Sequence, residues 1–213
     1  TSIDFNAENP TPAPFASVPD LDATGNFGSI GQFTVHPESK TVYFGHPSGL
    51  WRAGLSANSL AQIQTGVISP SLLIKAGTLY YVEETQLHFG ALDESTGVYT
   101  ESEDSPITLP QAGEVALECH PVDNHLYLYQ VDQPILRSSV PADALDGDTT
   151  FITIPLPTSK QVSTWSAFTL GPDGRLLLGG SSTGESTMKI VAHSDDYLGA
   201  SWTVVETGVP GVA

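Results

Sequence analysis

The sequence predicts an all-β fold, specifically a β-propeller with four visible blades, and two observations predict it. A unit of strand, polar turn and strand recurs along the 213 residues, and its central strands begin at Thr41, Thr78, His125 and Arg175, which are 37, 47 and 50 residues apart. A repeat of this period is typical of propeller blades. The 20 Gly and 16 Pro fit a chain of short strands and many turns, and no long stretch has apolar residues at helical spacing.

The first 28 residues differ from the rest of the chain. Residues 1–28 are rich in proline and poor in apolar alternation, so we expect an extended lead-in that lies over the domain surface. Residues 29–213 are expected to form the propeller. Its blades are predicted at about 30–67, 68–100, 112–155 and 164–207.

Strands are predicted where apolar residues alternate between turn residues. In the first blade they lie at 32–35, 42–45, 49–53 and 61–65, and Gly49 stands where a hairpin needs a positive φ. In the second blade they lie at 71–74, 78–82, 86–91 and 98–100. The third blade has them at 116–119, 126–129, 134–139 and 151–154, and the fourth at 166–170, 175–180, 188–193 and 202–206.

The central strands are apolar on both faces. Val42 and Phe44 point one way and Tyr43 the other, because successive side chains of a strand alternate. Blades that pack face to face bury both sides of their inner strands, which favours a propeller over a single open sheet. Either four blades close alone or further chain completes the ring, and we expect the second.

The charge balance restricts the partners. Seven Lys and Arg against 24 Asp and Glu give a formal net charge of −17, which excludes nucleic acid and anionic membranes as expected partners. The acidic surface either only keeps the protein soluble or includes a carboxylate cluster for a cation such as Ca²⁺. Cys119 is the single cysteine, so no internal disulfide forms, and no apolar run is long enough to span a membrane. The chain opens at Thr1 without Met, as a mature or a trimmed chain does, and we expect a secreted or periplasmic location.

Two stretches of the chain resemble a known family. They are EVALECHPVDNHLYLYQVDQPILRSSVPAD at 114–143, and WSAFT at 165–169 followed by RLLLGGSSTGESTMKIV at 175–191. They are similar to blades of the β-propeller phytases, calcium-dependent phosphatases of inositol hexakisphosphate. LYYVEETQLHFGALDE at 79–94 is a weaker echo of the same strand pair.

The chain departs from the family at its acidic motif residues. Gln130 and Val131 stand where the resemblance places two glutamates, only Asp132 remains acidic, and Ser166 replaces another glutamate. The family needs clustered carboxylates to hold calcium ions, which in turn hold phosphates and activate water. The resemblance therefore implies a domain that lacks catalysis by itself. It would act as the accessory or inositol-phosphate-binding half of a phytate-degrading protein, beside a second propeller domain on the same polypeptide.

The candidate site residues fall into two sets. Asp132, Glu83 and Glu84 are candidate metal ligands, although adjacent carboxylates of a strand point to opposite faces and each also fits a solvated turn charge. A phosphate ester needs basic groups, and the candidates are Arg52, Lys75, Arg137 and Arg175, each of which could instead pair with one nearby carboxylate. No catalytic residue is assigned, because no G-x-S-x-G elbow lies on a predicted strand-to-helix turn and no histidine spacing is typical of zinc.

A second resemblance gives the alternative function. SDDYLGASW at 194–202 is similar to the Asp-box of sialidase-like propellers with one residue inserted. In that family the box stabilises a turn and is not catalytic. The alternative is a non-catalytic propeller that binds a glycan or a protein partner.

Overall fold

A computed structural model describes residues 33–46, 49–54, 60–65, 68–111, 116–159, 162–181, 190–196 and 198–206. The described residues form four antiparallel sheets, and their only helical segment is one short 3-10 turn, Ala142–Ala144. The all-β class predicted from the sequence is therefore confirmed. The chain divides into two compact units, Thr1–Ser105 and Pro106–Ala213, a division that the sequence did not predict.

The first unit contains two sheets, each with its strands in chain order. Sheet A consists of β1 (Phe33–His36), β2 (Thr41–His46), β3 (Gly49–Ala53) and β4 (Ala61–Thr65). The strands of sheet B in this unit are β5 (Ile68–Lys75), β6 (Thr78–Glu83), β7 (Gln86–Leu92) and β8 (Tyr99–Glu101).

The second unit begins with the short strand β9 (Ile107–Thr108). Sheet C consists of β10 (Ala116–Cys119), β11 (His125–Tyr129), β12 (Ile135–Pro141) and β13 (Phe151–Ile154). Sheet D consists of β14 (Thr164–Leu170), β15 (Leu176–Ser181), β16 (Ile190–Ser194) and β17 (Trp202–Glu206).

Each unit has its core where apolar faces of its two sheets meet. In the first unit, Tyr43 and Leu50 of sheet A pack with Leu72, Leu79 and Tyr81 of sheet B. In the second unit, sheet C contributes Tyr127, Tyr129, Ile135 and Ile154, and sheet D contributes Trp165, Phe168, Leu176, Leu178 and Ala192. Burial of these side chains supplies the main stabilisation of the sheets, because removal of apolar surface from water is the dominant favourable contribution to folding.

Two glycines are required by their backbone positions. Gly49 has φ +140°, as predicted, and a Cβ atom there would lie 1.9 Å from the carbonyl oxygen of Gln64. Gly174 has φ +84°, and its Cβ atom would lie 2.8 Å from the imidazole ring of His120. The backbone conformation at both residues therefore depends on glycine.

The predicted strands agree with the structure where their residues are described, with small shifts at the ends. The largest shift is in β5, which begins at Ile68 rather than at residue 71. The pairing of β5 with β6 is irregular between Ile68 and Leu72, and Pro70 lies in that interval. A proline lacks the N–H that donates to a neighbouring strand. The sequence pattern therefore did not predict a strand that begins before Pro70. The predicted lead-in at 1–28, residue 32 and residues 188–189 lie outside the described residues.

Candidate functional site

Five titratable side chains lie together on the face of sheet B that packs against sheet A. They are Tyr81 and Glu83 of β6, His88 of β7, and Tyr99 and Glu101 of β8, and we call them the His88 cluster. The register sets Tyr81 opposite His88, and the alternation of side chains puts Glu83, Tyr99 and Glu101 on the same face.

The imidazole ring of His88 lies between two carboxylates. Its Nδ1 is 2.7 Å from Oε1 of Glu101, and its Nε2 is 3.5 Å from Oε2 of Glu83. The hydroxyl of Ser105 donates to the same Glu101 oxygen at 2.8 Å. The His88 ring also stacks on Tyr81, with ring centroids 4.9 Å apart and an angle of 7° between the planes. His88 is only 6% exposed, so these contacts fix the ring in the interior of the sheet.

Three polar atoms of the cluster are buried and form no hydrogen bond of good geometry, although the Tyr81 and Tyr99 hydroxyls lie close enough to interact with each other. They are the hydroxyl oxygens of Tyr81 and Tyr99 and Nε2 of His88. Burial raises the pKa of Tyr81, and the neighbouring Glu101 carboxylate raises it further. Burial likewise raises the pKa of Tyr99, so both tyrosines remain neutral hydroxyls near pH 7.

The cluster does not fit a calcium ion. Among the residues that the structure describes, no group of three or more His, Cys, Asp or Glu side chains could hold a metal ion. The reason is visible at His88, whose ring separates the two carboxylates so that they do not converge on a common point. Glu84, the neighbouring candidate ligand, is exposed in the β6–β7 turn with φ 52°.

Asp132, the candidate metal ligand of the second unit, fastens sheet C to sheet D. Its Oδ1 accepts the backbone N–H of Trp165 at 2.7 Å, and its own N–H donates to the Trp165 carbonyl at 3.3 Å. The Tyr129 hydroxyl donates to the same carbonyl and accepts the Asp132 N–H. We call Tyr129, Asp132 and Trp165 the Trp165 clamp. Asp132 therefore has a structural role that the sequence did not indicate, and its role as a metal ligand stays a prediction.

Three of the four basic candidate residues contact oxygen atoms of their own unit. Arg52 donates to the Thr96 carbonyl at 3.2 Å, and Arg175, about half exposed, pairs with Asp173 at 3.1 Å. Arg137 is only 8% exposed and binds Asp123. Lys75 is half-buried at the end of β5. Binding of inositol phosphate by these residues stays a prediction.

The Asp123 carboxylate is the centre of a network that the sequence did not predict. Its Oδ2 accepts Nε and Nη2 of Arg137 at 3.2 and 2.9 Å, and its Oδ1 accepts the His125 N–H at 3.1 Å. Burial alone would raise the pKa of Asp123, but the His125 N–H and the Arg137 guanidinium outweigh it and lower the pKa. Nε2 of His120 lies 2.7 Å from the Gly174 carbonyl, which accepts its proton, and this bond joins the β10–β11 turn to the β14–β15 turn.

Glu118 also lies outside the predicted set. Its Oε2 accepts the Leu170 N–H at 3.0 Å, which links β10 to β14. Burial raises the pKa of Glu118, and the hydrogen bonds from Thr169 and Leu170 only partly offset this effect. Glu118 binds Leu170, which is remote in the sequence, and Asp123 lies in a turn between two strands. The alternation of apolar residues along the strands therefore did not identify either carboxylate.

The segment that resembles an Asp-box forms a turn stabilised by its own side chains. Oδ1 of Asp196 accepts the N–H groups of Leu198 and Ala200 at 3.0 and 3.2 Å. The Ser201 hydroxyl donates to Asp195, and the Leu176 N–H donates to the Ser194 hydroxyl. These contacts fit the turn-stabilising role expected from the sequence, while Tyr197 lies outside the described residues.

Sheet A has a second apolar face, opposite the face that packs on sheet B. Phe33 of β1 pairs with Phe44 of β2, which pairs with Trp51 of β3, and Val35 pairs with Val42. We call these five residues the outer face of sheet A. Phe33 is 68% exposed and Val35 is 46% exposed, while the other three side chains are half-buried. None of the five is charged, although the chain carries a net charge of −17.

No family model and no curated protein matches the chain. The solved structures that are similar to it include two that bear on the fold. A chain of the crystal structure of a nidogen/laminin complex has 14% identity and a TM-score of 0.51, over 83% of this chain and 64% of that chain. The extracellular domain of a putative one-component system from B. thetaiotaomicron has 15% identity and a TM-score of 0.56, over 87% of this chain and 24% of that chain.

The chain spans less than two thirds of the length of either similar structure. At 14% and 15% identity these similarities bear on the fold alone, and they support a β-propeller-like all-β fold. In the part of the chain that the structure describes, no helix has the length and apolar character needed to cross a membrane.

Proposed function

We propose that this chain is a non-catalytic, exported β-propeller-like domain that binds a protein partner through the outer face of sheet A. In this proposal the four sheets are four blades of a propeller whose ring is open beside sheet A, which leaves the outer face of that sheet to the partner. The observation that carries the proposal is the exposure of Phe33 and Val35 beside three further apolar side chains. A contiguous exposed apolar surface on a soluble domain is typical of an interaction site.

The energetics of the outer face favour association. Sheet A packs its other face against sheet B, so the outer face is apolar without being needed for that core. Full burial of a Phe or Val side chain stabilises by about 1.5–3 kcal/mol, and Phe33 and Val35 still expose much of their surface. Aromatic side chains at the centre of an interface carry a large share of its binding energy.

The charge of the chain indicates the chemistry of the partner. With 24 acidic against 7 basic side chains, it repels proteins of the same sign and attracts basic ones. Because the outer face of sheet A is uncharged, a protein surface that covers it removes no carboxylate from water. We therefore expect a partner with an apolar patch bordered by Lys and Arg side chains.

The comparisons give modest support. One similar structure belongs to a nidogen/laminin complex, and the other is an extracellular domain. Both descriptions fit a propeller-like domain that works outside the cell by binding. The accessory role in phytate degradation and the second propeller domain on the same polypeptide stay predictions.

The test uses two matched double variants. A photo-crosslinking amino acid at position 35 first captures the partner, which is then purified and titrated. The variant Phe33→Ser with Val35→Ser should weaken binding by about tenfold or more, because two exposed apolar contacts are removed. The control is Ile152→Ser with Val205→Ser, which changes side chains of similar exposure in the other unit and should leave affinity within about twofold.

Three outcomes of the crosslinking and titration would contradict the proposal. They are equal binding by both double variants, crosslinking only to a second copy of this chain, and crosslinking to a glycan instead of a protein. Melting curves check that both variants fold, which is expected because the substituted side chains are exposed. Phosphate release from phytate with added calcium would show catalysis and would also contradict the proposal. We expect none.

A further inference from the structure

We propose that the outer edge of β13 binds an extended basic segment of a partner protein, which adds to sheet C as a further strand. Strand β13 is the last strand of sheet C and, among the described residues, pairs with β12 alone. The edge belongs to the second unit and takes a separate ligand, so this inference does not rest on the proposed binding at sheet A.

The register of β13 decides which of its backbone groups face the open edge. The Ser139 N–H donates to the Thr150 carbonyl at 2.9 Å, one position before the first paired residue of β13. Bonded and non-bonded residue pairs alternate along antiparallel strands, so Ile152 exchanges backbone hydrogen bonds with β12, whereas Phe151 and Thr153 do not. The N–H and C=O groups of Phe151 and Thr153 therefore point away from β12. An added strand bonds to groups placed in this way.

The edge of β13 lacks the features that usually prevent an added strand. Natural edge strands are protected by charged side chains, by proline or by bulges. Strand β13 reads FITI, without a charged residue or proline, and its pairing with β12 has no register shift. Ile152 is 50% exposed, and Thr153 is exposed beside it. A side chain of the added strand that lies opposite Ile152 would cover this apolar surface.

The loop before β13 indicates the charge of the ligand. Asp143, Asp146 and Asp148 are exposed in this loop, and residues 142–150 include no Lys or Arg. Basic side chains at one end of the added strand would meet these carboxylates. A second copy of the chain would bring none, because the residues that follow its β13 read PLPTS at 155–159, and the net charge of −17 opposes self-association. The ligand is therefore a basic segment of another protein.

The direction of the added strand follows from the sheet. The pairs of strands in sheet C are antiparallel, and antiparallel pairing is slightly more stable per residue than parallel pairing. In an antiparallel strand, the residues that come last lie beside Thr150 and the acidic loop. We therefore expect a segment in which β-branched residues are followed by Lys or Arg.

The first test titrates the complete chain with capped, fluorescently labelled peptides. TVTVKK has the expected pattern, TVTVEE reverses its charge, and TPPVKK keeps the charge but removes two neighbouring N–H groups, one of which faces β13 in either register. TVTVKK should bind about fivefold or more tightly than either control, because each control lacks the ion pairs or a backbone hydrogen bond. Equal binding of TVTVKK and TPPVKK would show only non-specific attraction of charge and would overturn the proposal. Equal binding of TVTVKK and TVTVEE would contradict the basic ligand.

The second test changes one edge-facing N–H of the protein. Thr153→Pro removes this donor and leaves the backbone hydrogen bonds to β12 in place, as a proline at a sheet edge does. Thr153→Ala is the matched control, since it loses the same side chain and keeps the N–H. The proline variant should bind TVTVKK about fivefold more weakly than the wild type, and the alanine variant within about twofold. Equal affinities of the two variants would contradict the proposal, and melting curves check that both fold.

Amide hydrogen exchange of the wild-type protein provides a readout that needs no variant. The Ile152 N–H should exchange slowly with or without peptide, whereas those of Phe151 and Thr153 should exchange fast in the free protein and slowly with TVTVKK. Slow exchange of Phe151 and Thr153 in dilute free protein would show that the edge is already covered and would overturn the proposal. Slowing that increases with protein concentration alone would identify a second copy as the occupant and would also overturn it. Neither result bears on the partner of sheet A, whose binding is measured separately.

Discussion

The carboxylate of Asp123 is buried beside the guanidinium of Arg137, with side-chain exposures of 14% and 10%. Its bonds to Arg137 and to the His125 N–H are short, so loss of the charge leaves Arg137 buried without its counter-ion. Breaking one partner of a buried ion pair is costly because the other charge remains desolvated.

Asp123→Asn should therefore lower the free energy of unfolding by about 3 kcal/mol at pH 7. Asp173→Asn, which breaks the exposed pair with Arg175, should cost less than about 1 kcal/mol. Because the pKa of Asp123 is lowered in the folded state, its contribution is present above the unfolded value and is lost as the pH falls through the folded value. Urea titrations of both variants at several pH values measure these differences. Equal costs would show that Asp123 is not the centre of a buried pair.

The contribution of Glu118 to stability should change with pH in the opposite direction to that of Asp123. Burial raises its pKa, so the folded state holds the proton more tightly and stability falls as the pH rises above the unfolded value. Glu118→Gln keeps an acceptor for the Leu170 N–H without a buried charge, and should raise the free energy of unfolding at pH 7. The gain should vanish at acid pH, where Glu118 itself is neutral.

The control at this position is Glu118→Leu. It removes the charge and the acceptor together, and should cost about 1–3 kcal/mol because the Leu170 N–H loses its partner. If Gln and Leu variants have the same stability, the hydrogen bond between β10 and β14 is unimportant. Chemical denaturation at acid and neutral pH distinguishes these cases.

At the level of the strands and turns, Gly174 offers a sharp test of the contact between the β10–β11 and β14–β15 turns. Gly174→Ala should cost about 2–3 kcal/mol, because it adds strain at a positive φ and places a Cβ atom 2.8 Å from the His120 ring. Gly77→Ala, at φ +76° with nothing within 4 Å, should show only the backbone cost of about 1 kcal/mol. Thermal unfolding of both variants measures the difference.

A double-variant cycle isolates the steric part of this cost. His120→Ala removes the ring, so Gly174→Ala should be less costly in that background than in the wild type. Strict additivity of the two substitutions would contradict the contact.

The elements were largely predictable from the sequence, whereas their contacts were not. Alternation and turn residues are local signals, so they placed the strands to within a few residues and gave the positive φ of Gly49. The bond between His120 and Gly174 joins residues 54 positions apart, and no local period encodes it. Asp132 was identified as a polar residue of a turn, but its bond to the Trp165 N–H depends on how sheets C and D pack.

For the whole molecule, the net charge of −17 predicts a dependence of stability on salt. Like charges on a compact chain repel one another. Salt at 0.1 M largely screens the repulsion between exposed charges that lie more than about 10 Å apart. Sodium chloride should raise the melting temperature by a few degrees, and calcium chloride of equal ionic strength should raise it no more. A larger rise with calcium, saturating at low concentration, would indicate a specific calcium site and would support the carboxylate-cluster hypothesis.

The division into two compact units was not predicted, because the four repeats look alike in the sequence and none marks a boundary. Apolar residues on both faces of the central strands did predict sheets that pack face to face, and both cores have this form. The outer face of sheet A follows the same pattern, but its exposure emerged only from the structure.

The Trp165 clamp gives the second unit an optical reporter. Trp165 is only 5% exposed, and its backbone is tied to Tyr129 and Asp132, whereas Trp51 and Trp202 are half-buried. Separation of sheet C from sheet D would admit solvent to this indole and shift its fluorescence emission to longer wavelengths. In a protein in which Trp51 and Trp202 are replaced by Phe, the emission wavelength of Trp165 alone would therefore report the separation of these two sheets.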